Sequence, residues 1–344
     1  MKKTIVALAG DGIGPEIMVA GLQVLEAVRS SLGFEYEVVE KAFGGAGIEA
    51  KGHPLPQDTL EACRRADAIL LAAIGSPQYD HALVRPEQGL LALRKELGLY
   101  ANIRPVKISP ALKHLSPLKE ERIANVDFVV VRELTGGIYF GEHLLTDHAA
   151  RDVNEYQAVE IERILRQAFE LARTRKKKVT SIDKQNVLAT SKLWRKLAER
   201  VAQDYPDVTL EHQLVDSAAM VMITNPAKFD VLVTENLFGD ILSDEASVLS
   251  GTLGVMPSAS HGTGASLYEP IHGSAPDIAG QGIANPVSMI LSLAMMLRES
   301  FGEWLVAQQI EDAVEASFAA GILTRDLGGK ASTQEVVDAV IKHL

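Results

Sequence analysis

Short β-rich runs alternate with longer helical patterns along most of this chain, and that alternation restricts the folds it can adopt. Thr4–Ala9 is the first predicted strand, and Ile17–Leu32 has the spacing of a helix that follows it. Such alternation favours an α/β fold with a mainly parallel sheet. The other predicted strands are Ala68–Ile74, Phe128–Val131, Lys178–Ile182, Val208–Leu214 and Phe229–Thr234. The other predicted helices lie near Glu87–Leu97, Glu155–Arg173, Ser191–Gln203 and Leu237–Leu249, and Pro286–Leu344 is mostly helical.

Length and charge restrict the classes of protein further. The 344 residues correspond to about two domains. The formal net charge of −11 argues against general binding to nucleic acid or to anionic membranes. The single cysteine, Cys63, excludes an intrachain disulfide and a zinc site built from several cysteines. The apolar run Ile5–Ala9 is too short for an export segment, and no stretch approaches the roughly 18 apolar residues of a transmembrane helix, so we expect a cytoplasmic protein.

Two glycine-rich segments are candidates for function. Gly10–Glu16 follows a strand and opens a helix, where a phosphate site or only a tight turn could lie. It is not the dinucleotide fingerprint, because Pro15 occupies the sixth position of that pattern. Gly251–Asn285 is long, rich in small residues and predicted to be largely irregular, which favours a functional segment.

Asp240 and Asp244 stand four residues apart in a predicted helix, so their carboxylates share one face. Like charges at that spacing repel one another unless a cation lies between them, and carboxylate oxygens suit Mg²⁺ or Mn²⁺. A solvated acidic face is the alternative. The apolar neighbours Leu237, Phe238 and Ile241 favour a well-packed helix and therefore a metal site.

Several cationic side chains stand in suitable places for an anionic ligand. Leu90 and Leu91 precede Arg94 by four and three residues, so one helix face offers alkyl groups beside a guanidinium. Arg104 and Arg132 are further candidates, since arginine binds carboxylates in a bidentate manner; surface ion pairs are the alternative for each. Lys184 follows a predicted strand, where open α/β sheets bind ligands, although an exposed turn lysine is the common case.

Together these segments resemble the β-decarboxylating dehydrogenases, the family of the isocitrate, tartrate and 3-isopropylmalate dehydrogenases. The resemblance runs along nearly the whole chain, and its most specific parts are Thr234–Ser247 and the run His272–Gly280. The other matching segments are Gly10–Glu16, Arg85–Arg104, Arg132–Gly141, Asp183–Arg195 and Val215–Met220, with the stretch after His272 continuing to Pro286.

The resemblance implies a two-domain α/β fold of the isocitrate/isopropylmalate dehydrogenase type, which is not a Rossmann fold. One domain would combine residues 1–99 with 252–344 on the cofactor side. The other, residues 100–251, would carry the dimer interface, the substrate and metal residues and an arm near 134–155. Members are homodimers, and by this mapping Lys184 and Asp216 would reach into the partner's site.

The resemblance also implies the site residues. Arg94, Arg104 and Arg132 would bind the substrate carboxylates, with Leu90 and Leu91 against its alkyl group. Asp216, Asp240 and Asp244 would bind Mg²⁺ or Mn²⁺. Lys184 would deprotonate the C2 hydroxyl and Tyr139 would protonate the enol carbon. NAD would be bound by Glu87, His272, Gly273, Ser274, Ala275, Asp277, Ile278 and Asn285, and Gly75 and Ser76, which depart from the family pattern, would contact the cofactor.

The expected reaction is the NAD-dependent oxidative decarboxylation of 3-isopropylmalate to 4-methyl-2-oxopentanoate and CO₂, a step of leucine biosynthesis. Leu90 and Leu91 stand where isocitrate-using members carry Ser or Thr, and a buried carboxylate against two leucines would be costly. Asp277 would accept the ribose hydroxyls and repel a 2′-phosphate, which favours NAD over NADP. The alternatives are a dehydrogenase for tartrate, malate or homoisocitrate, and a non-catalytic regulatory subunit.

Overall fold

A computed structural model describes residues 2–344 of the protein. Strands and helices alternate along the chain, as the sequence pattern predicts. The strands are β1 (Lys2–Gly10), β2 (Glu35–Glu40), β3 (Ala68–Ala73), β4 (Ala101–Lys107), β5 (Asp127–Glu133), β6 (His143–Leu145), β7 (Ala150–Asp152), β8 (Lys178–Asp183), β9 (Thr209–Leu214), β10 (Val231–Thr234), β11 (Pro257–His261) and β12 (Ser266–Pro270). The helices are α1 (Gly14–Ala27), α2 (Gly45–Lys51), α3 (Gln57–Arg65), α4 (Pro86–Glu96), α5 (Glu120–Ile123), α6 (Ala158–Arg173), α7 (Ala189–Ala202), α8 (Val215–Thr224), α9 (Asn236–Ser250), α10 (Val287–Phe301), α11 (Trp304–Ala319) and α12 (Thr333–His343).

The chain divides into two compact units. Unit 1 comprises Met1–Leu99 with Thr252–Leu344, and unit 2 comprises Tyr100–Gly251. These bounds coincide with those that the family resemblance implies. The roles that the resemblance gives to each unit stay predictions.

Unit 1 is built on strands that pair in the order β2-β1-β3-β12-β11. All pairs are parallel except the hairpin of β11 and β12. Every residue of β3 is buried, because its apolar sequence is covered on both faces, as is usual for a central parallel strand. The turn after β1 leads directly into α1, where Pro15 supplies a preset backbone angle in the first helical turn.

Unit 2 is built on strands in the order β4-β5-β10-β8-β9, and only β4 and β5 are antiparallel. Parallel strands end at the same edge of a sheet, and ligands of open α/β sheets bind at that edge. Arg132 lies near the end of β5, Lys184 follows β8, and Glu235 follows β10. The sheet therefore gathers residues from three distant parts of the sequence. Within 134–155, β6 and β7 form a separate, exposed antiparallel pair.

The prediction for Gly251–Asn285 is confirmed, because most of this segment is irregular, although it also contains the β11–β12 hairpin, which was not predicted. β2 and β4 are also absent from the sequence prediction, whereas the mostly helical character of Pro286–Leu344 is confirmed by α10, α11 and α12. Among residues 2–344, no helix combines the length and the apolar character needed to cross a membrane.

Candidate active site

The acidic pair predicted from spacing lies on α9, which begins directly after the buried strand β10. Glu235 caps this helix, since its Oε1 accepts a hydrogen bond from the Phe238 N–H at 3.4 Å. Asp240 and Asp244 follow one turn apart, and the Asp244 carboxylate is the more exposed of the two. The helix therefore presents two carboxylates on one side, as the sequence predicts.

Arg132 crosses the first turns of α9. Its Nε and Nη2 donate to Asn236 Oδ1 at 3.1 and 2.8 Å, and its Nη1 donates to Asp240 Oδ1 at 2.5 Å. The crossing requires a glycine in the helix, because a Cβ on Gly239 would lie 2.6 Å from Arg132 Cγ. A buried guanidinium needs such partners, and here a neutral amide and a carboxylate provide them.

Tyr139 completes this group. Its hydroxyl donates to Asp240 Oδ2 at 2.9 Å, and the Arg132 guanidinium lies 5.9 Å from the centre of its ring. Partial burial, together with the hydrogen bond to the Asp240 carboxylate, raises the pKa of the Tyr139 phenol. The phenol therefore keeps its proton at neutral pH, while 43% of the residue stays exposed to a reactant.

Arg104 approaches the second carboxylate of α9. Its Nη1 donates to Ser243 Oγ at 2.6 Å and lies 3.4 Å from Asp244 Oδ1. Its Nε donates to Asn102 Oδ1, which fixes the plane of the guanidinium. In the arginine–carboxylate group of unit 2, the structure thus brings together five residues that the sequence predicts: Arg104, Arg132, Tyr139, Asp240 and Asp244.

Lys184 and Asp216 form a second group in unit 2. Lys184 Nζ lies 2.8 Å from Asp216 Oδ1, and this contact lowers the pKa of the Asp216 carboxyl. The turn that carries Lys184 is held by the buried Asp183, which accepts from Gln185 N and from Arg195. Within residues 2–344 of a single chain, no three acidic, histidine or cysteine side chains are placed to hold a metal ion together.

The predicted alkyl and carboxylate contacts of unit 1 lie on α4. Leu91 is 45% exposed, whereas Leu90 is half-buried and packs against the core of unit 1. Arg94 Nη2 donates to Glu269 Oε1 at 2.9 Å, and both side chains are largely buried. Leu91 is therefore the leucine that is free to contact a ligand, while Leu90 also has a structural role.

The predicted cofactor residues of unit 1 form a turn after β12. His272 Nδ1 lies 2.9 Å from the Gly273 carbonyl, which can only accept, so Nδ1 carries the proton. Burial lowers the pKa of His272, and its Nε2 is buried with no hydrogen-bond partner in the protein. Ala275 has φ +38°, a strained value for a residue with a side chain. A buried acceptor without a partner and a strained backbone are typical of a ligand site.

The other predicted cofactor residues differ in their surroundings. Asp277 is exposed, and Glu87 is exposed in the first turn of α4. Asn285 is buried and uses both ends of its amide within the protein: Nδ2 donates to Asp326 at 2.9 Å, and Oδ1 accepts from Val287 N at 3.0 Å. Its contacts are those of a residue that fixes the start of α10.

Comparison with known proteins places this site in a family. The isocitrate/isopropylmalate dehydrogenase family matches residues 4–340. The chain belongs to that family. The dehydrogenase is 74% identical to the 3-isopropylmalate dehydrogenase of Streptococcus pneumoniae, with 100% of both chains covered, and 68% identical to that of Lactococcus lactis, with 100% of this chain and 99% of the relative covered. Among solved structures, isocitrate dehydrogenase from Methylococcus capsulatus is similar with a TM-score of 0.89 at 37% identity, covering 99% of each chain.

These comparisons confirm the family resemblance and the predicted α/β fold of the isocitrate/isopropylmalate dehydrogenase type. The protein is accordingly a β-decarboxylating dehydrogenase. The individual roles of the site residues stay predictions.

Sequence reasoning missed the residues that hold the site residues in place. Asn236 binds the Arg132 guanidinium with its side chain and also donates Nδ2 to the Gly136 carbonyl at 3.1 Å, just before the turn that leads to Tyr139. The sequence did contain one signal for Asn236, because it is a polar residue at the first position of a helix that was predicted to be buried. Glu269, which holds Arg94, gave a weaker signal because it lies within a short strand.

The pH dependence of stability should reveal the buried cap of α9. Burial raises the pKa of Glu235 to about 7 from an ordinary value of 4.5. The folded chain therefore holds this proton more tightly than the unfolded chain, and stability falls as the pH rises from about 4.5 to about 7. Glu235→Gln keeps an acceptor for Phe238 N–H and removes the titration. We expect the variant to gain on the order of 3 kcal/mol relative to wild type across that window, measured by urea unfolding at a series of pH values.

Glu335→Gln is the control for this prediction. Glu335 caps the exposed start of α12, and its hydrogen bonds from Ser332 lower the pKa of its carboxyl. Its contribution to stability is present above the unfolded pKa of 4.5 and is lost as the pH falls below it, so its substitution should leave the slope between pH 4.5 and 7 unchanged. Equal slopes for wild type and Glu235→Gln would contradict the assignment.

Proposed function

We propose that the protein catalyses the NAD- and divalent-metal-dependent oxidative decarboxylation of 3-isopropylmalate to 4-methyl-2-oxopentanoate and CO₂. The observation that supports this most directly is the linked group of Arg132, Asp240 and Tyr139 at the start of α9. It joins a carboxylate-binding cation, a metal-binding carboxylate and a phenol that retains its proton. The high identity to relatives named 3-isopropylmalate dehydrogenase supports the choice of substrate.

The substrate carboxylates would be bound by Arg94, Arg104 and Arg132. Each guanidinium is held at one side by a protein acceptor: Glu269 for Arg94, Asn102 for Arg104 and Asn236 for Arg132. A guanidinium has five N–H donors, and Arg94 Nε is buried with no hydrogen-bond partner in the protein, so this arginine keeps a donor for a ligand. Fixing the cation in advance reduces the entropy lost when a carboxylate binds.

Asp240 and Asp244, with Asp216 of the partner subunit, would bind Mg²⁺ or Mn²⁺. These residues fit a divalent metal ion, because α9 presents carboxylate oxygens on one face and hard divalent cations prefer oxygen donors. Two carboxylates from one chain leave coordination positions for other ligands. When bound, the cation would supply Lewis-acid chemistry at the substrate oxygens, and NAD would supply the hydride acceptor.

The chain's own residues would move the two protons of the reaction. Lys184 would accept the proton of the C2 hydroxyl, directly or through water, as hydride leaves C2. The carboxylate on C3 would then depart as CO₂, and its bonding electron pair would stay on the substrate as an enolate. Tyr139 would donate its proton to C3 of that enolate, because its raised pKa keeps the phenol protonated until then and its partial exposure lets the substrate reach it.

NAD would bind at the 272–278 turn of unit 1. The lone pair at His272 Nε2 is an acceptor for an amino group such as that of adenine. The exposed Asp277 carboxylate can accept the two ribose hydroxyls and would repel a 2′-phosphate. Gly273, Ser274, Ala275 and Ile278 would line this side, Glu87 would lie near the nicotinamide, and Asn285 would support the turn.

The protein would act as a homodimer formed through unit 2. Large apolar side chains stay exposed on α8 and α9, including Met220, Ile241 and Val248, and Leu145 of β6 is 84% exposed. Exposed apolar surface of this kind is typical of an interface. In such a dimer Lys184 and Asp216 would reach the site of the partner subunit.

An absorbance assay of NADH formation tests the proposal. We expect turnover with 3-isopropylmalate, NAD and Mg²⁺ or Mn²⁺, and little with isocitrate, tartrate or malate or with NADP. Better turnover with another of these acids would retain the reaction type and refute the substrate assignment. No turnover with any of them would favour the non-catalytic alternative.

The two leucines of α4 should separate substrate selection from stability. We expect Leu91→Ser to reduce kcat/KM for 3-isopropylmalate relative to malate by roughly tenfold or more, because a well-packed alkyl contact is lost. Since the Leu91 side chain is exposed, the thermal unfolding midpoint of the Leu91→Ser variant should stay near that of wild type. Leu90→Ser should lower both the kcat/KM ratio and the midpoint, because Leu90 also packs on the core. Unchanged kcat/KM ratios in both variants would contradict an alkyl pocket at α4.

Tyr139→Phe should isolate the final proton transfer. Without the phenol, kcat is expected to fall by about 10²- to 10⁴-fold, the usual contribution of a positioned general acid. The KM for substrate should change little, because the guanidiniums that bind carboxylates remain. Tyr205→Phe is the matched control, since Tyr205 stacks on Phe169 elsewhere in unit 2 and should leave kcat near wild type. A normal kcat for Tyr139→Phe would remove Tyr139 from the mechanism.

A further inference from the structure

The Asp11 side chain turns back from the end of β1 to bind three backbone N–H groups. Its Oδ2 accepts from Gly45 N at 2.9 Å and from Gly75 N at 3.0 Å, and its Oδ1 accepts from Ala46 N at 3.0 Å. The residue is buried. One carboxylate thus joins the start of α2 to the turn that follows β3, two segments that are distant in sequence.

Glycines allow the backbone to approach this carboxylate. A Cβ on Gly44 would lie 2.8 Å from Asp11 Oδ2, and a Cβ on Gly45 would lie 2.8 Å from Oδ1. Gly44 and Gly75 also have φ values of +68° and +113°, which side-chain-bearing residues rarely adopt. The sequence therefore provides close backbone access at the positions where Asp11 needs its donors.

The same turn contacts the proposed cofactor segment. Ile13 N donates to the Ser274 carbonyl at 2.8 Å, and a Cβ on Gly12 would lie 2.0 Å from that oxygen. On the far side of Asp11, a Cβ on Gly75 would lie 3.3 Å from Glu87 Oε1 and 3.5 Å from Ser274 Oγ. The Gly75 backbone is therefore adjacent to two residues that we propose to bind NAD.

We propose that Asp11 is a positioning residue for the cofactor: it holds the Gly75–Ser76 turn against Glu87 and Ser274, and so shapes the surface that binds NAD. The inference rests on the proposed function, because it takes Glu87 and Ser274 as cofactor residues. It also gives the Gly10–Glu16 motif a role that differs from a phosphate site, since its acidic side chain faces inward to bind backbone N–H groups. Asp11 acts through the turn and has no part in the bond changes.

Asp11→Ala and Asp11→Asn test this role. The alanine variant loses all three acceptors, whereas asparagine keeps one oxygen and loses at least one hydrogen bond. The dissociation constant of NADH, measured by fluorescence titration without substrate, should rise roughly ten- to a hundredfold in Asp11→Ala and by less in Asp11→Asn, because a small misplacement of binding groups has effects of that size. KM for NAD should rise in parallel, while KM for 3-isopropylmalate changes by less than about threefold.

Asp67→Ala is the matched control. Asp67 also belongs to unit 1, where it accepts from Thr4 N and Lys3 Nζ at 2.9 Å, at the opposite end of β1 from Asp11. We expect it to lower the thermal unfolding midpoint and to leave NADH affinity within about twofold of wild type. If Asp11→Ala fails to fold, the Asp11→Asn titration decides the question by the same criteria.

The outcomes separate the two proposals. Normal NADH affinity in a folded Asp11→Asn and Asp11→Ala pair would overturn the inference, as would an equal loss of NADH affinity in Asp67→Ala. Gly75→Ala provides a second check, because its effect on NADH affinity should be less than additive with that of Asp11→Asn if both act on one turn. A wild-type protein that binds NADH but does not turn over 3-isopropylmalate would refute the proposed substrate and leave the inference about Asp11 standing.

Discussion

The buried guanidinium of Arg132 is the constraint on which the candidate site of unit 2 depends. A cation removed from water must be paired and hydrogen-bonded, or its burial would destabilise the fold by several kcal/mol. Asn236 and Asp240 provide those partners, and Gly239 gives the side chain the space to reach them. Because Asp240 also accepts from Tyr139, the same requirement sets the position of the phenol. The first turns of α9 and the end of β5 are therefore fixed relative to one another by charge burial.

Much of the fold could be predicted because parallel strands that are buried on both faces are continuous apolar runs in the sequence. β3 and β10 were predicted within a few residues for this reason. β11 was not predicted, because its sequence Pro-Ser-Ala-Ser-His has neither an apolar–polar alternation nor β-branched side chains. Its central residues are nevertheless buried. Pairing with β12 stabilises that strand, and such a long-range contact has no local signature in the sequence.

For the site, spacing alone could predict that Asp240 and Asp244 share a helix face, but not that Arg104 and Arg132 lie beside them. That convergence brings together residues from separate strands, so it appears only once the sheet is built. The helical spacing also predicted the same role for Leu90 and Leu91. In the structure they differ, because α4 packs on the core of unit 1 so that Leu90 is half-buried and Leu91 is exposed. The family resemblance predicted the role of each site residue. It did not predict the supporting roles of Asn236 and Asp11, which follow from hydrogen bonds seen only in the structure.

The charges of the arginine–carboxylate group in unit 2 support the proposed binding of a metal together with a dicarboxylate. Its two guanidiniums, from Arg104 and Arg132, are matched by the two carboxylates of Asp240 and Asp244, so the group is balanced despite the acidity of the whole chain. A divalent cation alone would leave these arginines facing excess positive charge, and a dicarboxylate alone would face the two aspartates. A complex of a divalent cation with a dicarboxylate is neutral, and its opposite charges can meet the opposite charges of the protein. Electrostatic complementarity of this kind would favour the proposed pair of ligands over either one alone.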